Sequence, residues 1–201
     1  RDDELAVPSR HLGLVTAVEH GEAARAAVAA MTALIARHVD LAAVLGLAGS
    51  RVTAGSWSPD AVIGEPVAGR PVVAVAAGRA FSFGYAEHRE LLAAAGAEVA
   101  EFDPLTEPLP PDSTGLILPG GFPEQYLETL SANTELREQV CRLAERAPVH
   151  AECGGLAYLM DELDGHPMCG VLGGIARFTP RLTLGYRDAV AIADSPLFTT
   201  G

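Results

Sequence analysis

Apolar residues along the chain fall into two rhythms. Short unbroken runs alternate with longer stretches in which apolar positions return every three or four residues, and the alternation becomes regular only after residue 70. Strands buried on both faces read as the first kind of text, and helices with one buried stripe read as the second. PVVAVAA (71–77), AEVAEF (97–102), GLIL (115–118) and PVHAE (148–152) are accordingly predicted strands. AEHRELLAAAG (86–96) is a predicted helix, closed by Gly96 at its C′ position. A Pro-rich loop, DPLTEPLPPDS, precedes the third strand and the loop PGGFPE leaves it. Two helical stretches follow, divided near Ser131–Asn133, and Asn133 can cap the second, TELREQVCRLAER. The fourth strand runs straight into Cys-Gly-Gly and a predicted helix, LAYLMDEL. The order strand, helix, strand, strand, helix, strand, helix predicts an α/β fold with a mainly parallel sheet and helices on both faces. Beyond Leu163 the text reads as turns and short strands, expected to be antiparallel at one edge.

The first 48 residues have a different texture. HLGLVTAV (11–18) has strand character, and a helix is predicted from about Glu22, with Val28, Met31, Leu34 and Ile35 on one stripe. Asp40 is a predicted N-cap for a short helix, LAAVLGLA. Residues 49–69, GSRVTAGSWSPDAVIGEPVAG, are rich in Gly, Ser and Pro and read as a linker. The expected division is 1–48 as a fragment of a second α/β domain, 49–69 as linker and 70–201 as the main domain.

Composition narrows the function classes. Hydrophobic residues make up 49% and aromatics only 5%, so the core must be built mainly from Ala, Val and Leu. A formal net charge of −12 argues against a nucleic-acid partner, which needs a basic face. Three cysteines, Cys141, Cys153 and Cys169, make no disulfide framework. No apolar run approaches the roughly 18 residues of a membrane span, and the N-terminus lacks signal-peptide character. The expectation is a cytoplasmic protein with no membrane partner.

The chemistry concentrates at Ala151-Glu152-Cys153-Gly154-Gly155. A Cys between a buried strand and a following helix, flanked by small residues, has the signature of a nucleophile elbow, with the sulfur raised at the carboxyl edge of the sheet. The helix starting at Gly154 directs its positive end toward the thiol, and its free N–H groups can stabilise an oxyanion. Gly120 and Gly121, at the carboxyl end of the third strand, let the backbone approach a ligand on that same edge. Nucleophile and N–H donors together form a site for attack on an acyl carbon through a thioester. Cys141 and Cys169 read as small buried hydrophobes, and His150, on the incoming strand, as structural. Glu152 serves either to orient a base or to form a local hydrogen bond. Cys153, His166 and Cys169 lack the paired spacing of a zinc site, so no metal is expected. A general base is missing: of the remaining histidines only His88 and His166 lie in the main domain, neither at an obvious strand end.

PGGFPE, AECGGLAYL, PMCGVLGG, RLTLGYRDA and DSPL, in this order, closely resemble the class I glutamine amidotransferase domain of the cobyrinic and hydrogenobyrinic acid a,c-diamide synthases. AFSFGY (80–85) is similar to that domain's opening loop, and PSRHLGLVTAVE through HVDLAAVLGLA resembles the tail of the preceding ATP-dependent synthetase domain. The resemblance implies a flavodoxin-like fold and glutamine as substrate, with Cys153 as nucleophile and Gly120, Gly121 and Gly154 in the oxyanion region. It places Tyr186 and Arg187 near the glutamine pocket. It also implies that ammonia passes to a synthetase half, where ATP and Mg2+ activate the a and c carboxylates of a corrinoid; a homodimer is a further partner it leaves open. The family's phosphate-binding G-x-x-x-x-G-K-[ST] loop does not occur here, so no cofactor is expected in this chain. The family's Gly-His-Glu-type segment, which supplies the base, follows the DSPL region and is not reached. The chain alone is therefore expected to hydrolyse glutamine poorly or not at all. Cobyric acid synthase, nickel-sirohydrochlorin a,c-diamide synthase and an elbow-cysteine stress protein or hydrolase of the same fold are the alternatives.

Overall fold

In the computed structural model, residues 17–49, 55–179, 185–195 and 198–201 are described. The chain divides into two units, Arg1–Ser58 and Pro59–Gly201. The first contains α1 (Ala17–His38), broken at Gly21 (φ 28°, ψ −97°), and α2 (Leu41–Leu47). Asp40 caps α2 by accepting from the Ala43 N–H at 3.0 Å. Of the expected strand at 11–18, residues 11–16 lie outside the described residues, and Ala17 and Val18 belong to α1. Val28, Met31 and Ile35 form the anticipated stripe, and all three are exposed. Among the described residues, no single helix is long and apolar enough to cross a membrane.

The division between units falls inside the 49–69 stretch, and the later part of that stretch is folded. Pro59–Ile63 forms α3, with Pro at the first helical position, where its missing N–H costs nothing. The Val67 N–H donates to the Ala95 carbonyl at 2.9 Å.

The second unit is organised by β1 (Val72–Ala76), β2 (Glu98–Phe102), β3 (Ser113–Leu118) and β4 (Val149–Ala151), all parallel in the order β2-β1-β3-β4. Between them run α4 (Ala86–Ala94), α5 (Leu127–Ala132) and α6 (Thr134–Ala144). The crossover from β1 to β2 moves one way along the sheet and that from β3 to β4 moves the other. Right-handed crossovers in opposite directions put α4 on one face and α5–α6 on the opposite face. They also open a crevice at the carboxyl ends of β1 and β3, where ligands of such folds bind.

Local signals set the boundaries. Gly96 (φ 89°) ends α4 in a Schellman motif, its N–H bonded to Ala93 O and the Ala97 N–H to Leu92 O, each at 3.0 Å. Asn133 caps α6 through the Leu136 N–H at 3.3 Å. On α6, Leu136, Val140 and Leu143 share one face and are 0–1% exposed. They meet Ala74, Ala76, Leu116 and Leu118 of the strands, also at 0–1%. Each such Leu or Val contributes about 1.5–3 kcal/mol of burial.

The fold corrects the expected helix LAYLMDEL. α7 spans only Gly154–Leu159, and Met160–Leu163 is a strand, β5. Asp164 (φ 46°) and Gly165 (φ 85°) form a two-residue turn that returns the chain as β6 (His166–Pro167), antiparallel to β5. A third strand, β7 (Leu172–Ala176), lies on the other side of β5 and runs parallel to it, so the expected antiparallel edge is mixed.

Candidate active site

Three loops converge at the carboxyl edge of the sheet. Cys153 joins β4 to α7 with φ 51° and ψ −115°, a conformation that costs an L residue on the order of 1–3 kcal/mol. Two backbone bonds hold the turn. The Glu152 N–H donates to Leu118 O of the neighbouring strand at 3.2 Å, and the Gly155 N–H to Glu152 O at 2.8 Å. The Cys153 side chain is exposed. The six-residue α7 follows it, so the field at the thiol comes from fewer than two turns of peptide dipoles.

The small residues beside the cysteine are required by neighbours as much as by the turn. A Cβ at Gly155 would lie 2.1 Å from Leu118 O, and one at Gly154 would lie 2.7 Å from Pro123 Cδ. In the PGGFPE loop, a Cβ at Gly121 would lie 2.1 Å from Ala80 O, in the loop that leaves β1. A Cβ at Gly120 would touch both the Cys153 Cβ and the Phe83 ring at 3.4 Å. The Gly-Gly loop thus lies against the elbow, Gly120 beside the Cys153 Cβ and Gly121 beside Gly154.

Tyr186 and Arg187 are arranged differently. Tyr186 is fully exposed, and the Arg187 guanidinium donates to the Tyr186 carbonyl at 2.8 Å, a bond local to the segment. His150 lies on the face of β4 opposite Val149 and Ala151. Val149 and Ala151 pack toward the core, whereas the His150 ring meets His88 of α4 edge-on, with centroids 5.9 Å apart. Cys141 is half-buried on α6 and Cys169 is buried. Burial pushes the Cys169 thiol up to about 12, against smaller lowering effects of Tyr158 and Arg137. The Tyr158 hydroxyl is raised likewise by burial. Its ring, one turn behind the cysteine on α7, packs on Phe81 at 5.5 Å and ties the elbow helix to the β1 loop. Among the described residues, no group of three or more His, Cys, Asp or Glu side chains is placed to hold a metal ion.

The loop after β1, AFSFGY, supplies the third wall. Phe83 forms an antiparallel bridge with Gly120, its N–H donating to Gly120 O at 3.0 Å. Its ring packs edge-on against Phe122, with centroids 5.1 Å apart. A contact made by backbone leaves no mark in side-chain chemistry. The available signal was a pair of aromatics beside glycine directly after a predicted strand.

A parallel α/β sheet with a strained cysteine between strand and helix, faced by a Gly-Gly loop, has the backbone geometry of an elbow at the sheet's carboxyl edge. Residues 72–195 match the CobB/CobQ-like glutamine amidotransferase domain, and the chain belongs to that family. It is 60% identical to hydrogenobyrinate a,c-diamide synthase of Mycobacterium tuberculosis (strain ATCC 25618 / H37Rv), covering 100% of this chain and 44% of the relative. The Streptomyces coelicolor protein of the same name is 51% identical over 98% of this chain and 47% of its own length. The cobyrinate a,c-diamide synthase of Synechococcus sp. is 37% identical over 100% and 45%. The chain therefore spans less than half the length of these relatives. No solved structure matches it.

Proposed function

We propose that this chain is the glutamine-hydrolysing part of an ATP-dependent a,c-diamide synthase, with Cys153 as its nucleophile. The observation that carries the reading is the strained backbone of Cys153, which presents an exposed thiol against the Gly-Gly loop within a glutamine amidotransferase domain. The thiolate attacks the side-chain amide carbon of glutamine, and the carbonyl oxygen takes up negative charge. The N–H groups of Gly121 and Gly154 receive that oxyanion. The C–N bond then breaks, the departing nitrogen takes a proton, and ammonia leaves a glutamyl thioester. Water cleaves the thioester, giving glutamate and restoring the thiol. The six-residue α7 and the exposed sulfur suit a nucleophile that a substrate must reach from solvent.

The ammonia is delivered to a synthetase portion of the longer protein, where the a and c carboxylates of hydrogenobyrinic acid are amidated. The names and identities of the M. tuberculosis and S. coelicolor relatives support that substrate over cobyrinic acid, since the relative named for cobyrinate is the more distant of the three. The synthetase portion uses ATP and Mg2+ to activate the carboxylates. The residues described here offer neither a carboxylate cluster nor a Walker-type loop for them, so both are assigned to that portion. Residues 1–48 are read as part of it and 70–201 as the amidotransferase domain, with 49–69 connecting the two and folded as α3 over Pro59–Ile63. Tyr186 and Arg187 are assigned to the glutamine pocket. The enzyme is read as cytoplasmic, and as a homodimer where it assembles. The test is release of glutamate and ammonia from glutamine by the natural full-length protein and by its Cys153→Ser variant. The reading requires turnover in the first and its loss in the second; equal rates would refute it.

A further inference from the structure

The Phe83–Gly120 bridge joins two loops that are otherwise free of ladder bonds, the loop from β1 and the loop from β3. A trans peptide directs its C=O and its N–H to opposite sides, and no cis peptide occurs among the described residues. The Gly120 carbonyl is engaged by the Phe83 N–H at 3.0 Å. The N–H of the same peptide unit, carried by Gly121, is thereby turned away from Phe83. Its nitrogen lies 3.2 Å from where a Cβ on Gly154 would sit, on the side of the elbow. Among the described residues no hydrogen bond from the Gly121 N–H is found, and Gly121 is buried. A buried N–H left open costs free energy unless something else uses it.

Glycine is also the residue least able to hold such an orientation by itself. With two glycines in succession, the peptide plane is free to flip unless an outside group fixes it. The loop is confined on one side by Ala80 O against Gly121 and on the other by Pro123 against Gly154. Among the described residues, the Phe83 bond is the hydrogen bond that engages the Gly120–Gly121 peptide. We infer that Phe83 is a positioning residue for glutamine hydrolysis, acting through its backbone N–H. It locks that peptide plane so that the Gly121 N–H faces the carbonyl oxygen of the substrate when the tetrahedral intermediate forms. The inference rests on the glutaminase reading above. The Phe83 ring adds a second hold, set edge-on to Phe122 of the same loop.

The experiment uses the natural full-length protein with position 83 altered three ways. An ester in place of the Phe83 amide removes only the N–H, Phe83→Pro removes it with a rigid ring, and Phe83→Leu restores it without the aromatic. Glutamate release is measured as kcat and KM, together with the affinity for glutamate γ-semialdehyde, whose adduct with the thiol carries the oxyanion. A displaced donor acts on the transition state rather than on bound substrate. The ester variant is expected to lose about 10-fold or more in kcat with KM held within about threefold, and to lose semialdehyde affinity by a similar factor. Phe83→Leu is expected to recover about 10-fold over Phe83→Pro. An ester variant with unchanged kcat and semialdehyde affinity would overturn the inference, as would Phe83→Leu as slow as the ester. If the unsubstituted protein releases no glutamate and binds no semialdehyde, the glutaminase reading itself falls.

Discussion

The elbow edge and the segment 185–195 are both sequence motifs of one domain, yet they are built by opposite means. At the elbow, glycines stand where a single added carbon would meet backbone at 2.1 Å, and the cysteine is held in a strained conformation. In 185–195, Tyr186, Val190 and Ile192 stand exposed, and Arg187 donates to its neighbour's carbonyl. Residues that shape the backbone of a site carry their geometry with them. An exposed side chain such as that of Tyr186 carries no such geometry of its own. The glycines are therefore assembled around the cysteine in this chain, and Tyr186 and Arg187 are not.

Substitutions can break that contrast at several depths. The largest effect is expected from Cys153→Ala, which should lower glutamine hydrolysis by about 10³-fold or more, leaving only the contribution of binding and oxyanion donors. Gly121→Ala and Gly155→Ala should follow. Each sets a Cβ against a backbone carbonyl that cannot step aside, at an expected cost of roughly 2–4 kcal/mol in chemical denaturation. Cys153→Gly is expected to move stability the other way, by about 1 kcal/mol, because it relieves the strain at φ 51° while removing the thiol. Tyr186→Ala and Arg187→Ala should each change stability by less than about 0.5 kcal/mol, since neither side chain is packed. A loss above about 2 kcal/mol at either would erase the distinction between the two regions.

The buried Cys169 sharpens the comparison through pH. Its folded-state value is raised to about 12, above the ordinary 9.0, so its contribution is fully present below pH 9 and is lost as pH rises toward 12. In that window unfolding free energy should fall by on the order of 1 kcal/mol per pH unit, and Cys169→Ala should flatten the slope. Alkylation of the native chain near pH 8 should modify exposed Cys153 ahead of Cys141, with Cys169 protected until unfolding.

Much of this was legible in the sequence where one local signal decided the outcome. The four strands of the main sheet, the Gly96 closure of α4 and the Asn133 cap depend on neighbours a few residues away. The expectations differ from the fold where two short-range signals compete. Asp164-Gly165 is a hairpin turn sequence, and it drew Met160–Leu163 out of the expected helix into a strand. Pro59 at the start of a helix was hidden in text that reads as linker. At the candidate site, the close approach of the Gly-Gly loop to the elbow is legible because paired glycines at a strand end mark a place where backbone comes near. Phe83 is not, because it reaches Gly120 through a backbone bond that any residue but proline could make.

The most direct test of the central claim is peptide mapping by mass after exposure to a diazo-ketone analogue of glutamine. It is run on this chain and on the natural full-length protein, with Cys141 and Cys169 as internal references. The account predicts modification confined to Cys153, blocked by excess glutamine and faster in the full-length protein. A Cys153 left unmodified in both, or labelled no faster than Cys141, would contradict it.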